Sequence, residues 1–365
     1  MALAEDRRDM SRHPRVRPLT RRPSVTVVIP CYNYGHYLPL AVGSVLDQAD
    51  VDVDIIIVDD ASPDGSGTVV KALAGGDDRI HAVIHERNRG HVATYNEGLE
   101  QATGDYVILL SADDALAPGA LGRATALLEA VPALSLVYGH PLTFIDDPPP
   151  ARLKVRSWTV WPGAEWIELL CRKGGNPINC PEVVMRTSVQ HAIGGYDAGL
   201  PHSGDLEMWM RAAAVGDVGR VNGPTQAYYR VHDVSMQRTT FAGHVNDLEG
   251  RLGAFAKVLD RPGSRVPDRD RLFARARLSL AVAALNYASA AYEGGREHLE
   301  PIDEYMGFAL KVWPDAASLR QWRAVERRRS AGATRLQTGA VWRTHRAAAD
   351  VNRRLRWRRW RWSGV

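Results

Sequence analysis

Cysteine is scarce in this chain: Cys31, Cys171 and Cys180 are the only three among 365 residues. An odd number without CxxC spacing argues against a disulfide framework and against a structural zinc site. A reducing, cytoplasmic compartment fits such a chain. Long apolar runs are also missing, since stretches such as 55–58 and 106–110 fall far short of the roughly 20 residues a spanning helix needs. No apolar segment of signal-peptide type follows the first residues, and no Asn-x-Ser/Thr acceptor occurs, so secretion has no support. What is present, 45% apolar and 24% charged residues, argues against wholesale disorder and suffices for one large core or two ordinary ones.

Acids are nearly absent from the C-terminal stretch. Residues 320–365 hold fourteen Arg, no Lys and only Glu326 and Asp350, a net +12, so an overall charge of +4 leaves −8 on the rest of the chain. Five of the ten tryptophans (Trp322, Trp342, Trp357, Trp360 and Trp362) lie in the same stretch. Arginine attracts anionic lipid and indole rings prefer the headgroup region, which predicts peripheral docking on an anionic membrane surface, the inner face of a cytoplasmic membrane. Nucleic-acid binding and a solvated tail are the rival readings of this segment. The lipid reading is carried forward, with no nucleic-acid partner expected. At the other end, residues 1–23 contain seven Arg, three Pro and no hydrophobic periodicity, which predicts a disordered basic arm.

Between these ends, β-branched runs alternate with helical spacing. Val25–Ile29, Val53–Val58, Ile80–Ile84 and Tyr106–Leu110 read as strands, and Leu38–Gln48, Ser66–Ala74 and Thr94–Ala102 as helices. A further helix is predicted over Leu116–Ala130, with Pro118 in its first turn. Strands separated by helices of about ten residues imply parallel pairing through right-handed crossovers. Ligands of such sheets gather at the carboxyl ends of the strands. Those ends read Pro30-Cys-Tyr-Asn33, Asp59-Asp60-Ala-Ser62 and Ser111-Ala-Asp-Asp114. Adjacent carboxylates repel one another and call for a cation or donor groups. Helical spacing returns at Leu272, Ala276, Leu280, Ala283, Tyr287 and Ala291, and Gly294-Gly295 separates that run from another starting near Pro301, which predicts an appended helical hairpin.

Seven strings stand in order and spacing: Val25-Thr-Val-Val-Ile-Pro-Cys-Tyr-Asn33, Ile57-Val-Asp-Asp-Ala-Ser-Pro-Asp-Gly65, Asn88-Arg-Gly90, Gly104-Asp-Tyr-Val107, Leu110-Ser-Ala-Asp-Asp114, Gly194-Gly-Tyr-Asp197 and Tyr229-Arg-Val-His232. Together they resemble the family 2 glycosyltransferases of GT-A fold. The resemblance covers about residues 24–240. It implies an α/β fold with a mixed, mostly parallel sheet flanked by helices, and an inverting sugar transfer. The implied donor is a nucleoside-diphosphate sugar held with Mg²⁺ or Mn²⁺. The implied acceptor is a glycan or a lipid-linked sugar of cell-envelope synthesis. The expected organisation is an arm (1–23), a GT-A domain (24–240), a helical extension (241–319) and an Arg/Trp-rich tail (320–365).

Residue by residue, the resemblance sets Pro30, Tyr32 and Asn33 along the nucleoside and one of Asp59 and Asp60 on the base. Arg89, Ser111, Ala112 and Asp113 join the donor site. Asp113 is the expected metal ligand, with His232 as a further ligand or a stabiliser of the leaving group. Ser111 stands where the family's Asp-x-Asp pattern begins with Asp, which weakens one contact to ribose or metal that a hydroxyl or Asp114 could replace. In His202-Ser-Gly-Asp-Leu-Glu-Met-Trp-Met-Arg211, alignment on Trp209 and Arg211 puts Asp205 on the family's catalytic Asp and Glu207 on its second acid. A transfer to a hydroxyl needs a base as the new bond forms, and Asp205 is the candidate. The bland alternatives are helix N-caps for Asp113, Asp114 and Asp205 and turn chemistry for Asp59 and Asp60. Two other functions compete: a nucleotidyltransferase, which would want a Gly-rich basic loop after the first strand, and a non-catalytic binding descendant of a glycosyltransferase.

Overall fold

The computed structural model describes residues 13–178, 181–232, 243–260, 266–294 and 296–331. They divide into two compact units. One takes in the described residues up to 167 and those of 177–233; the other takes in 168–176 and the residues from 243 onward.

The first unit is built on strand–helix alternation: β1 (Ser24–Cys31), α1 (Leu38–Leu46), β2 (Asp52–Asp59), α2 (Ser66–Gly76), β3 (Ile80–Ile84), α3 (His91–Glu100) and β4 (Tyr106–Leu109). Then follow β5 (Ala115–Leu116), α4 (Ala120–Ala130), β6 (Leu134–Tyr138), β7 (Pro141–Phe144), β8 (Ser157–Trp161), α5 (Gly163–Lys173, of which the residues from 168 fall in the second unit), β9 (Val184–Arg186), α6 (Thr187–Ile193), α7 (Gly204–Val215), β10 (Asp217–Asn222) and β11 (Ala227–Arg230). The main sheet has the order β3-β2-β1-β4-β9-β6-β10-β8. Its β3-β2-β1-β4 half is parallel throughout, and β9 runs antiparallel to both β4 and β6. A small second sheet pairs β5, β11 and β7.

The β-branched runs form strands because both faces of the sheet are covered. Val25, Val27, Val28, Ile29, Ile55, Ile57 and Val58 are fully buried. Gly98 lets α3 sit down on this surface: a Cβ there would lie 2.3 Å from Val28 Cγ1 and 3.2 Å from Val58 Cγ2. The helix expected from Leu116 begins later, at Ala120. Ala115 and Leu116 instead pair with Tyr228 and Ala227, and Gly119 (φ +69°) makes the turn into the helix.

Residues 13–23 are largely exposed, yet tethered to the body rather than forming a free arm. Val16 packs on the core, Arg21 reaches Asp105 (2.7 Å) and Glu129 (2.6 Å), and Arg22 reaches Asp52 (2.6 Å). The acidic body therefore recruits this basic segment as a strap. Residues 1–12 lie outside the described residues.

The second unit is helical. Its centre is α9 (Arg269–Glu293), whose buried Leu272, Ala276, Leu280, Ala284, Leu285 and Ala288 follow helical spacing. Around it pack α8 (His244–Leu259), α10 (Ile302–Val312) and α11 (Arg320–Ala331). The helical hairpin is thus α9 and α10, with Gly294 closing the first and Pro301 preceding the second. The first part of the basic tail belongs to this unit, since Val325 of α11 is buried and Arg328 pairs with Glu293. The remainder, with Trp342, Trp357, Trp360 and Trp362, lies outside the described residues. Among the described residues no helix is long and apolar enough to cross a membrane.

Candidate active site

Because β3, β2, β1 and β4 are parallel, their carboxyl ends share one edge, and the loops leaving Cys31, Asp59, Ile84 and Leu109 meet there. Asn33 and Ala61 both adopt left-handed backbone, with φ of +61° and +55°, as these loops turn sharply away from the sheet. The Asn33 N–H donates to Ser62 Oγ (2.9 Å), and Ser62 in turn donates its hydroxyl (2.6 Å) and its N–H (3.2 Å) to Asp59. Asp59 thereby ties the loops after β1 and β2 together.

Asp60 does a different job. Its carboxylate accepts the N–H groups of Arg89 (2.7 Å) and Gly90 (2.9 Å) and lies 2.7 Å from His85 Nδ1. Burial acts to raise its pKa, but the Arg89 N–H, His85 and the Gly90 N–H together hold it below the usual carboxylate range. Three donors from three residues occupy Asp60, which leaves Asp59 as the member of the pair with more acceptor capacity. Arg89 adds its backbone to this anchor while its exposed side chain pairs with Glu97. Tyr32 is 46% exposed beside them, Pro30 lies within β1 opposite Val58, and Ala112 is buried in the core.

After β4, the chain folds into an acidic corner. Asp113 Oδ2 lies 3.0 Å from His232 Nε2, although 119 residues separate them. Asp114 is almost wholly buried and accepts the Arg230 N–H (2.8 Å). Burial first, then the adjacent Asp113, holds Asp114 well above the usual carboxylate range. The repulsion expected of paired carboxylates is thus relieved by keeping the buried one protonated over a wider pH range. Neither acid caps α4, which starts at Ala120. Arg230 pins the corner: its guanidinium donates to the carbonyls of Asp113 (3.0 Å), Ile145 (2.6 Å) and Asp146 (3.0 Å) and lies over the rings of Tyr37 and Phe144. Tyr34 and Tyr37 wall His232, and burial pushes the Tyr34 hydroxyl up to about 12.

Asp113 and His232 form a mixed oxygen and nitrogen donor pair, and His232 Nδ1 is buried with no hydrogen-bond partner among the described residues. That set suits a divalent cation of Mg²⁺ or Mn²⁺ type, which takes one or two protein ligands and completes its shell with phosphate and water. No group of three or more His, Cys, Asp or Glu side chains could hold a metal among the described residues. Cys31 is buried and its thiol is pushed up by burial to about 11, so it supplies no nucleophile here.

Asp205 is the second residue of α7, after Ser203 at the N-cap, so it is not the cap itself. Its Oδ1 accepts the Tyr196 hydroxyl (2.9 Å). Helix α7 packs on β6 and ends immediately before β10, which runs parallel to β6. The sheet order makes β6 and β10 parallel to β4, so the N-terminus of α7 points toward the same carboxyl edge. Glu207, the second acid, is buried and its Oε1 accepts Arg211 Nε (2.7 Å).

Residues 26–188 match the family model described as glycosyl transferase family 2. Over that span the chain is similar to the family 2 glycosyltransferases. One relative, named GalNAc(5)-diNAcBac-PP-undecaprenol beta-1,3-glucosyltransferase, from Campylobacter jejuni, is 35% identical over 33% of this chain and 38% of its own. The chain spans 37%, 37% and 30% of the length of the first three curated relatives it matches. Among solved structures, S. aureus TarS 1-349 in complex with UDP-GlcNAc aligns over 78% of this chain and 90% of its own, with a TM-score of 0.53 at 14% identity. The mannosyltransferase PcManGT of Pyrobaculum calidifontis, in complex with GDP-Man and Mn²⁺, aligns over 86% and 94%, with a TM-score of 0.52 at 18% identity. The α/β fold is therefore that of the GT-A glycosyltransferases.

Arg230, Tyr34, Tyr37 and Tyr196 are site neighbours to which sequence reading assigned no role. Arg230 and Tyr196 lay inside recognised strings, but only tertiary folding shows that one pins Asp113 and the other bonds Asp205.

Proposed function

We propose that the protein is an inverting, divalent-metal-dependent glycosyltransferase that moves a sugar from a nucleoside-diphosphate sugar to an acceptor hydroxyl. The observation that carries this reading is the approach of Asp113 to His232 at the carboxyl edge of a GT-A sheet. Asp113 and His232 would hold Mg²⁺ or Mn²⁺, which when bound offsets the charge of the diphosphate. Pro30, Tyr32, Asn33 and Asp59 border the nucleoside, while Asp60 and Arg89 hold the loop beside it. Asp205 takes the acceptor hydroxyl's proton as oxygen bonds to the anomeric carbon, and the bond from that carbon to the diphosphate oxygen breaks with its electron pair. Attack opposite the leaving group inverts the sugar.

The lipid-linked substrate in the Campylobacter relative's name supports a glycan or lipid-linked acceptor in cell-envelope synthesis. Binding is the direct test. UDP, GDP, dTDP or CDP with Mn²⁺ or Mg²⁺ is expected to raise the melting temperature, since a ligand at 100 times its Kd stabilises by about 2.7 kcal/mol. Ser111 at the start of the Asp-x-Asp pattern favours the second reading, a non-catalytic descendant, and silence from all four nucleotides would select it.

The basic tail is proposed to dock on the anionic inner leaflet, giving a cytoplasmic enzyme held peripherally. Each Arg near such a surface contributes about 1 kcal/mol. Deleting residues 339–365 is expected to keep nucleotide binding and to abolish cosedimentation with anionic vesicles, and high salt to mimic the deletion. Equal recovery of the intact protein with anionic and neutral vesicles would count against docking by charge.

A further inference from the structure

We infer that Tyr196 is a positioning residue for Asp205, aimed at that carboxylate by an amide clasp from Asn96. The inference rests on the reading of Asp205 as the general base. Asn96 lies on α3, in the parallel half of the fold, and grips the backbone of Tyr196 at both polar atoms. Its Nδ2 donates to the Tyr196 carbonyl (2.9 Å) and its Oδ1 accepts the Tyr196 N–H (2.6 Å). A second tether runs alongside, His91 Nε2 lying 3.2 Å from the Pro201 carbonyl. The residue before the tyrosine is Gly195, and a Cβ there would sit 2.3 Å from Asn96 Oδ1, so only glycine leaves room for the clasp.

With its backbone held, the Tyr196 ring packs edge-on against Tyr95, with centroids 5.5 Å apart, and its hydroxyl donates to Asp205 Oδ1 at 2.9 Å. The ring also lies against the start of α7, where a Cβ at Gly204 would come 2.8 Å from Tyr196 Cδ1. A phenol donor favours the ionised form of the carboxylate and restricts its rotation, which is what a base awaiting a hydroxyl proton requires. Glu182, with Arg220 beside it, is a further titratable group whose field involves Asp205; burial pushes it up to about 8, above the range in which an exposed carboxyl titrates.

The test is a pH titration of Asp carboxyl carbons by NMR in the full chain labelled at Asp Cγ, with the Asp205 signal assigned by its loss in Asp205→Asn. In Tyr196→Phe, which keeps the ring and removes only the hydroxyl, the Asp205 midpoint is expected to rise by about half a pH unit with the melting temperature unchanged. Gly204→Ala, which displaces the ring, is expected to move it in the same direction. Turnover of UDP-GlcNAc or GDP-mannose, whichever is accepted, should fall about 10-fold in Tyr196→Phe through kcat, with KM for the donor unchanged. An Asp205 midpoint that stays put in both variants overturns the inference. The titration needs no substrate, so full turnover by Asp205→Asn would overturn the base assignment while the midpoint still decides the hydrogen bond.

Discussion

Asp205→Asn is expected to bind nucleoside diphosphate as the parent does and to lose turnover by about 10²-fold or more. Asparagine keeps the shape of the side chain and an oxygen that can accept the Tyr196 hydroxyl, so α7 and the preceding loop have no reason to move. What it lacks is a site basic enough to take the acceptor's proton. Binding and chemistry should therefore separate: an unchanged thermal shift with nucleotide, beside a collapsed rate. If transfer proceeds at the parent rate, the base is another group. Glu207 is a poor substitute, because it is buried and bonded to Arg211 on the next turn of the same helix. Two residues apart on a helix, Asp205 and Glu207 also project in different directions, so they do not form an acid and base pair.

The parallel half of the fold was readable because its strands are buried on both faces, which writes β-branched runs such as 25–29 and 55–58 into the chain without alternation. The loops after those runs carried the candidate acids for a topological reason, since parallel strands deliver their carboxyl ends to one edge. Misreadings arose where distant partners decided the local structure. Arg21 and Arg22 look like residues of a solvated arm until Asp52, Asp105 and Glu129 come within reach. Leu116 fits the start of a helical run, yet β11, more than a hundred residues later, takes it with Ala115 as a strand. The same holds for chemistry. Asp59 and Asp60 are indistinguishable as neighbours in sequence, and only the folded loops show that Asp60 is consumed by Arg89, Gly90 and His85 while Asp59 bonds Ser62. Asn96 and Tyr196 lie 100 residues apart, and no periodicity connects them.

Asp113→Asn is expected to remove the metal-dependent part of nucleotide affinity, a loss of about 100-fold or more given that even indirect partners of a metal account for roughly 10- to 100-fold. An amide keeps a coordinating oxygen but not the charge that offsets a cation's lost hydration. The neighbouring acid does not compensate. Asp114 is buried, faces the Arg230 N–H, and is held well above the usual carboxylate range by burial and by Asp113 itself. In the variant that second influence disappears, so Asp114 becomes easier to ionise, but its carboxylate remains turned into the corner that Arg230 pins. Ser111 offers a neutral hydroxyl and no charge. Calorimetry with the nucleotide, with each metal and with chelator, reads all of these effects. Chelator should reduce the parent to the affinity of the variant and leave the variant nearly unaffected. Equal affinity and equal metal dependence in parent and variant would remove Asp113 from the metal site and leave its contact with His232 as a structural ion pair.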